Sequence, residues 1–141
     1  MSSRCKKLRI LLVEDTSAIQ LAVKSMLESM GCSVSVACDY REFFKKFNLS
    51  FDGILTDVGM PDKDGFDVVS YIQKNHRENK ALIYMYSAFG AEYIKERAGD
   101  LPVNGFFGKP FAYTDMELFV KKIGENKKFL SMNNALSHGM Q

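Results

Sequence analysis

Two rhythms of apolar residues alternate along the chain. Residues 8–13 form a short apolar run of strand type, and Thr16 stands ready to cap a helix whose apolar positions Ile19, Leu21, Val23, Met26, Leu27 and Met30 fall at spacings of three and four before Gly31 ends it. The alternation then repeats. Residues 34–37 read as a brief strand, Asp39 as a cap, and Phe43, Phe44 and Phe47 as the buried stripe of a second helix. A third strand is expected at 53–56, followed by a helix opened by Gly65 and carried by Val68, Val69 and Ile72. Residues 81–86 predict strand four, 91–98 a weak and charged helix, and 103–107 strand five. A last amphipathic helix starts at Thr114 or Asp115 and runs through Leu118, Phe119 and Ile123. Five βα units without internal repeats, with strands this short and apolar, predict a doubly wound parallel α/β sheet covered on both faces. Beyond residue 125 the periodicity disappears, so the expected domain spans 1–125 and residues 126–141 are expected to form a polar, flexible tail.

Composition narrows the class. A chain of 141 residues suits one domain with one core and needs no disulfide or metal staple. With 19 Lys and Arg against 17 Asp and Glu, the net charge of +2 gives no reason to expect a nucleic-acid or membrane partner. The basic clusters at Arg4, Lys6, Lys7 and Arg9 and at Lys121, Lys122, Lys127 and Lys128 read as solvated surface. Cys5, Cys32 and Cys38 lack metal-ligand spacing and are expected to be free thiols in a reducing compartment, which favours the cytoplasm. No stretch reaches transmembrane length, and the apolar run near the start is too short for a signal-peptide core.

The chemistry lies at the ends of the strands. Glu14 and Asp15 follow strand one, Asp57 follows strand three within Thr-Asp-Val-Gly-Met-Pro-Asp-Lys-Asp-Gly, Ser87 and Ala88 follow strand four, and Lys109-Pro110-Phe111 follows strand five. In an open parallel sheet these ends share one edge, so the residues should converge on one pocket holding three carboxylates, a hydroxyl and an ammonium. Such a set suits phosphoryl transfer to a carboxylate: acids for magnesium, one acid as nucleophile, and donors and a cation for the phosphoryl oxygens. Two acids beside a third also repel one another unless a cation sits among them.

In this order the motifs resemble the receiver domain of two-component response regulators, from about Leu8 to Ile123. The resemblance implies a flavodoxin-like (βα)5 fold with strand order 2-1-3-4-5. It implies Asp57 as the phosphorylated residue, taking its phosphoryl group from a phosphohistidine as an acyl phosphate. It further implies a magnesium site of Asp15, Asp57 and the Gly59 carbonyl, with Glu14 acting through water; phosphoryl binding by Ser87, Ala88 and Lys109; a switch through Ser87 and Phe106; and a structural cis bond before Pro110. Implied partners are a histidine kinase or histidine phosphotransfer protein, and a downstream protein on the face of helix 4, strand 5 and helix 5. Such a domain is not an enzyme, although it assists its own phosphorylation and dephosphorylation.

Each assignment has a plainer counterpart. Asp57 could cap a turn, Ser87 could be a satisfied strand-end hydroxyl, Lys109 an exposed lysine, and Phe106 an ordinary core ring. Phe106 also lacks the hydroxyl of the Tyr often found at that family position, so a switch there would work by ring burial alone. Tyr84 and Tyr86 are unusual in a central strand, and the sequence does not place their hydroxyls. An EF-hand reading of Asp62 to Gly65 fails, because setting Gly65 at loop position six puts Met60 and Tyr71 at the first and last ligand positions. A flavodoxin-like electron carrier would need hydroxyls and amides, not two acids, in its first loop. A receiver that binds without phosphorylation should lack one of the acids or the lysine. A DNA-binding output domain does not fit in the few residues after Ile123. A stand-alone receiver, a phosphate shuttle or sink, and the receiver of a hybrid kinase all remain open.

Overall fold

The computed structural model describes residues 7–60, 62–110 and 112–139; Cys5, Arg4, Lys6, Pro61 and Phe111, which carried sequence expectations, lie outside them. Five parallel strands, β1 (Arg9–Val13), β2 (Ser33–Ala37), β3 (Gly53–Asp57), β4 (Leu82–Ser87) and β5 (Gly105–Gly108), make one sheet in the order β2-β1-β3-β4-β5. Between and after them come α1 (Ser17–Ser29), α2 (Tyr40–Lys46), α3 (Gly65–Asn75), α4 (Ala91–Ala98) and α5 (Tyr113–Gly139). The expected doubly wound topology is therefore the observed one.

Side-chain alternation along each strand feeds two cores. On one face Leu11, Val13, Ile54, Ile83 and Met85 pack with Phe43 of α2, Val68, Val69 and Ile72 of α3, and Ile94 and Ala98 of α4. On the other, Ile10, Leu12, Leu55, Tyr84, Tyr86 and Phe107 pack with Val23 and Leu27 of α1 and with Met116, Phe119 and Ile123 of α5. Tyr84 finds room because Gly105, directly opposite in the register, has no side chain: a Cβ there would come within 2.3 Å of the Tyr84 ring. Not every residue in the expected stripes is inside. Leu21, Phe44 and Leu118 are exposed, since α1, α2 and α5 each turn only a narrow stripe onto the sheet.

Two boundaries differ from the sequence expectation. Strand five begins at Gly105 because Asn104 makes its own link to β4, its N–H donating to the Ile83 carbonyl (2.7 Å) and its Oδ1 accepting from the Ile83 N–H (2.8 Å). The expected tail from residue 126 is instead the second half of α5, helical through Gly139. Polar side chains anchor its start: Asn126 Nδ2 donates to the Lys80 carbonyl at 3.0 Å, and Lys127 Nζ lies 3.2 Å from Asp52 Oδ2. Such anchors leave no apolar period to read.

The start of α3 is set against the end of β3. Asp64 caps it, its Oδ1 accepting from the Phe66 and Asp67 N–H groups while Asp67 Oδ2 accepts from the Asp64 N–H. Gly65 lets the two elements touch: a Cβ there would meet the Asp57 carbonyl oxygen at 2.5 Å and Met85 Cε at 2.8 Å. Gly65→Ala is therefore expected to destabilise the domain by about 1–3 kcal/mol, read as a lower urea midpoint with an unchanged slope. An unchanged midpoint would show that the α3 start moves away freely.

Candidate functional site

Because all five strands run the same way, their carboxyl ends gather along one edge. Glu14 and Asp15 follow β1, Asp57 ends β3, Ser87 ends β4, and Lys109 follows β5. The structure brings these sequence-designated residues together. Carboxylate oxygens of Glu14, Asp15 and Asp57 lie within 4.8 Å of one another, with Glu14 and Asp57 buried and Asp15 exposed. Lys109 Nζ lies 3.2 Å from Asp57 Oδ2 and 3.8 Å from Glu14 Oε1. Beside Asp57 opens a cleft of about 280 Å³ whose walls include Gly59, Ser87, Ala88, Phe89 and Lys109.

Local backbone bonds hold each group. The Val58 N–H donates to the Tyr86 carbonyl and the Gly65 N–H to the Val58 carbonyl, both at 3.0 Å, so the chain leaving Asp57 is tied to β4 and α3. The Gly59 N–H reaches Asp57 Oδ1 at 3.3 Å. Gly59 itself is exposed, and a Cβ there would meet nothing within 4 Å, so its expected ligand atom, the carbonyl, makes no demand for glycine. Ser87 is buried, and its Oγ accepts from the Phe89 N–H at 3.0 Å. The Lys109 N–H donates to the Ser87 carbonyl at 2.9 Å, joining the two loops, and the Lys109-Pro110 bond is cis, as the resemblance implied. Ala88 is exposed at the cleft. Phe106 is half-buried against the core on the side of α2, α3 and α4, which fits both its ordinary and its switch reading.

One participant was not assigned from the sequence. Tyr86 is buried on β4, and its hydroxyl donates to Glu14 Oε1 at 2.5 Å. The other Glu14 oxygen accepts from the Thr16 N–H at 3.0 Å. The only sequence signal for this bond was a phenol in a central strand, which needs a polar partner when buried.

Burial dominates the electrostatics. Desolvation pushes the Asp57 carboxyl above the usual carboxylate range, against the opposing pull of Lys109 and the Gly59 N–H. It pushes Glu14 up in the same way, opposed by the donors Tyr86 and Thr16. The Tyr86 hydroxyl is raised far above its ordinary value by burial and by the Glu14 carboxylate, so it stays a donor. Among the described residues one ammonium faces three acids, leaving an excess of negative charge that a divalent cation would neutralise. Three carboxylates with open solvent on the Asp15 side suit magnesium, which prefers hard oxygen ligands and keeps several waters.

The family described as response regulator receiver domain matches residues 10–121. The transcriptional regulatory protein CpxR of Escherichia coli is 31% identical over 113 residues, covering 80% of this chain and 47% of the relative. Hybrid signal transduction histidine kinase L of Dictyostelium discoideum is 27% identical over 125 residues, 84% of this chain and 7% of the relative. The chain thus spans half or less of the length of these two curated relatives. A crystal structure of a CheY-like response regulator receiver domain protein from Methanospirillum hungatei JF-1 superposes with a TM-score of 0.76 at 25% identity, covering 87% of this chain and 98% of that one.

Proposed function

The chain belongs to the response regulator receiver domain family, a phosphoacceptor signalling domain, and on that premise we propose that Asp57 is the acceptor. The observation carrying this is Asp57 itself: a buried carboxylate with Lys109 at 3.2 Å, two further acids within reach of one cation, and a solvent cleft on its open side. The donor is a phosphohistidine of a histidine kinase or phosphotransfer protein. An Asp57 carboxylate oxygen attacks phosphorus, the P–N bond breaks, and its electron pair leaves on the imidazole nitrogen, which takes a proton. Asp15, Asp57 and the Gly59 carbonyl would hold magnesium, with Glu14 behind them. When bound, the cation offsets the carboxylate charge and steadies the phosphoryl oxygens. Lys109 and the Ser87 hydroxyl supply donors to the same oxygens, and the small Ala88 leaves the approach open.

Among the described residues no helix is long and apolar enough to cross a membrane. We place the domain in the cytoplasm, acting on its own phosphorylation and not as an enzyme on other substrates. Its output is a protein partner on the face of α4, β5 and α5. There α4 buries two side chains, Ile94 and Ala98, and packs the half-buried Tyr93 beside them, while Arg97 lies 3.4 Å from Asp64. Drawing Ser87 and Lys109 onto a phosphoryl group would bias that helix between two arrangements, with Phe106 following Ser87 inward.

The test is incubation with a phosphorylated histidine donor, or with acetyl phosphate, and magnesium. Intact mass should rise by one phosphate, and addition of beryllofluoride should shift the amides of residues 90–110. No added mass would reject the acceptor reading. Added mass with those amides unmoved would leave a phosphate shuttle or sink, as in a relay from a hybrid kinase.

A further inference from the structure

Tyr86 belongs to none of the motifs that mark the pocket, yet one side chain touches two of its members. The hydroxyl donates to Glu14 Oε1, and the ring lies beneath the Lys109 ammonium, with Nζ 5.1 Å from the ring centroid. The geometry matters because Lys109 stands between two acids, 3.2 Å from Asp57 Oδ2 and 3.8 Å from that same Glu14 Oε1. A glutamate buried beside one ammonium gains most by closing on it, which would draw Lys109 from Asp57 and carry the Glu14 carboxylate out of the acid cluster. The phenol opposes this by serving Oε1 from β4, through a short charge-assisted bond in a dry setting. With the Thr16 N–H on the other oxygen, both ends of the carboxylate are held.

Resting on the proposed magnesium-dependent acceptor site, we infer that Tyr86 is a positioning residue: its hydroxyl holds Glu14 where the three carboxylates can share one divalent cation. Its ring keeps Lys109 above the pocket, directed at Asp57. Hydrogen-bond partners of groups around a metal commonly change its affinity 10–100-fold when removed. A phenylalanine would fill the same core volume without this bond.

Tyr86→Phe in the full chain separates the two contributions, since it removes the hydroxyl and keeps the ring. Titration calorimetry with magnesium chloride should show Kd rising about tenfold, with labelling from acetyl phosphate restored at saturating magnesium. The same substitution made in a Glu14→Gln background should change Kd less than twofold, because its effect passes through Glu14. In the unsubstituted chain, the ring Cζ resonance of Tyr86 should move on magnesium addition, a readout that survives if Tyr86→Phe does not fold. Parent affinity in Tyr86→Phe, an equal loss in both backgrounds, or a Tyr86 resonance indifferent to magnesium would overturn the inference while leaving a parent that binds magnesium and takes up phosphate. A parent that does neither would overturn both the inference and the acceptor reading.

Discussion

Asp57→Asn is expected to take up no phosphate from any donor and yet to unfold at a higher temperature than the parent in the absence of magnesium. Loss of uptake follows from the chemistry, since the amide is no nucleophile and, among the described residues, Asp57 is the acid that both lines the cleft and pairs with Lys109. The stability gain follows from burial. Desolvation raises the Asp57 carboxyl above its ordinary range despite Lys109 and the Gly59 N–H. A carboxyl raised on folding contributes stability that is fully present below its unfolded value of about 4 and is lost as pH rises through its folded value. At neutral pH the ionised side chain is therefore a net cost that asparagine removes, while Lys109 keeps Glu14 as an acid partner at 3.8 Å. Glu14 is shifted in the same direction, mainly by desolvation, so the metal-free parent should lose stability as pH climbs out of the carboxylate range. The variant should show a shallower fall, retaining the Glu14 share. Thermal unfolding across pH, together with intact mass after phosphodonor treatment, checks both arms. Undiminished labelling would reject Asp57 as acceptor, and a lower melting temperature would reject the electrostatic account.

Asp15→Ala is expected to weaken magnesium binding by about 100-fold or more with little change in the metal-free fold. Unlike Glu14 and Asp57, Asp15 is exposed, so its side chain contributes no packing. Its removal also relieves repulsion against the two buried acids. A ligand that binds only the folded state stabilises it by about 2.7 kcal/mol at a hundred times its Kd. The parent should therefore melt several degrees higher in excess magnesium, and the variant should not respond at that concentration. Phosphate uptake should fall in parallel, because the incoming oxygens would meet uncompensated carboxylates. A variant that gains the same stability from magnesium and labels at the parent's rate would show that the metal is held elsewhere.

Most of the architecture was readable along the chain. Buried parallel strands are continuous apolar runs, so β1, β3 and β4 were visible before any contact was known, and the period of α3 separated Val68, Val69 and Ile72 from its polar side. The acids, the serine and the lysine were legible because a parallel sheet must bring strand ends to one edge, which turns order in sequence into proximity in space. Local pattern failed where long-range contacts set the outcome. Leu21, Phe44 and Leu118 fit helical stripes but lie outside the width covered by the sheet. The second half of α5 showed no period because it is anchored through Asn126 and Lys127 to residues far away in the chain.

The sequence alone determined that Glu14, Asp15, Asp57, Ser87 and Lys109 arrive at the pocket, since that depends on strand ends and on chemical type. Only the tertiary structure decided their environments: Glu14 and Asp57 lose water while Asp15 keeps it, and Lys109 stands closer to Asp57 than to Glu14. It also decided that the phenol of Tyr86, 72 residues from Glu14, would be the group that meets its carboxylate. Desolvation and hydrogen bonding depend on everything packed around a group, and no spacing along a chain encodes that.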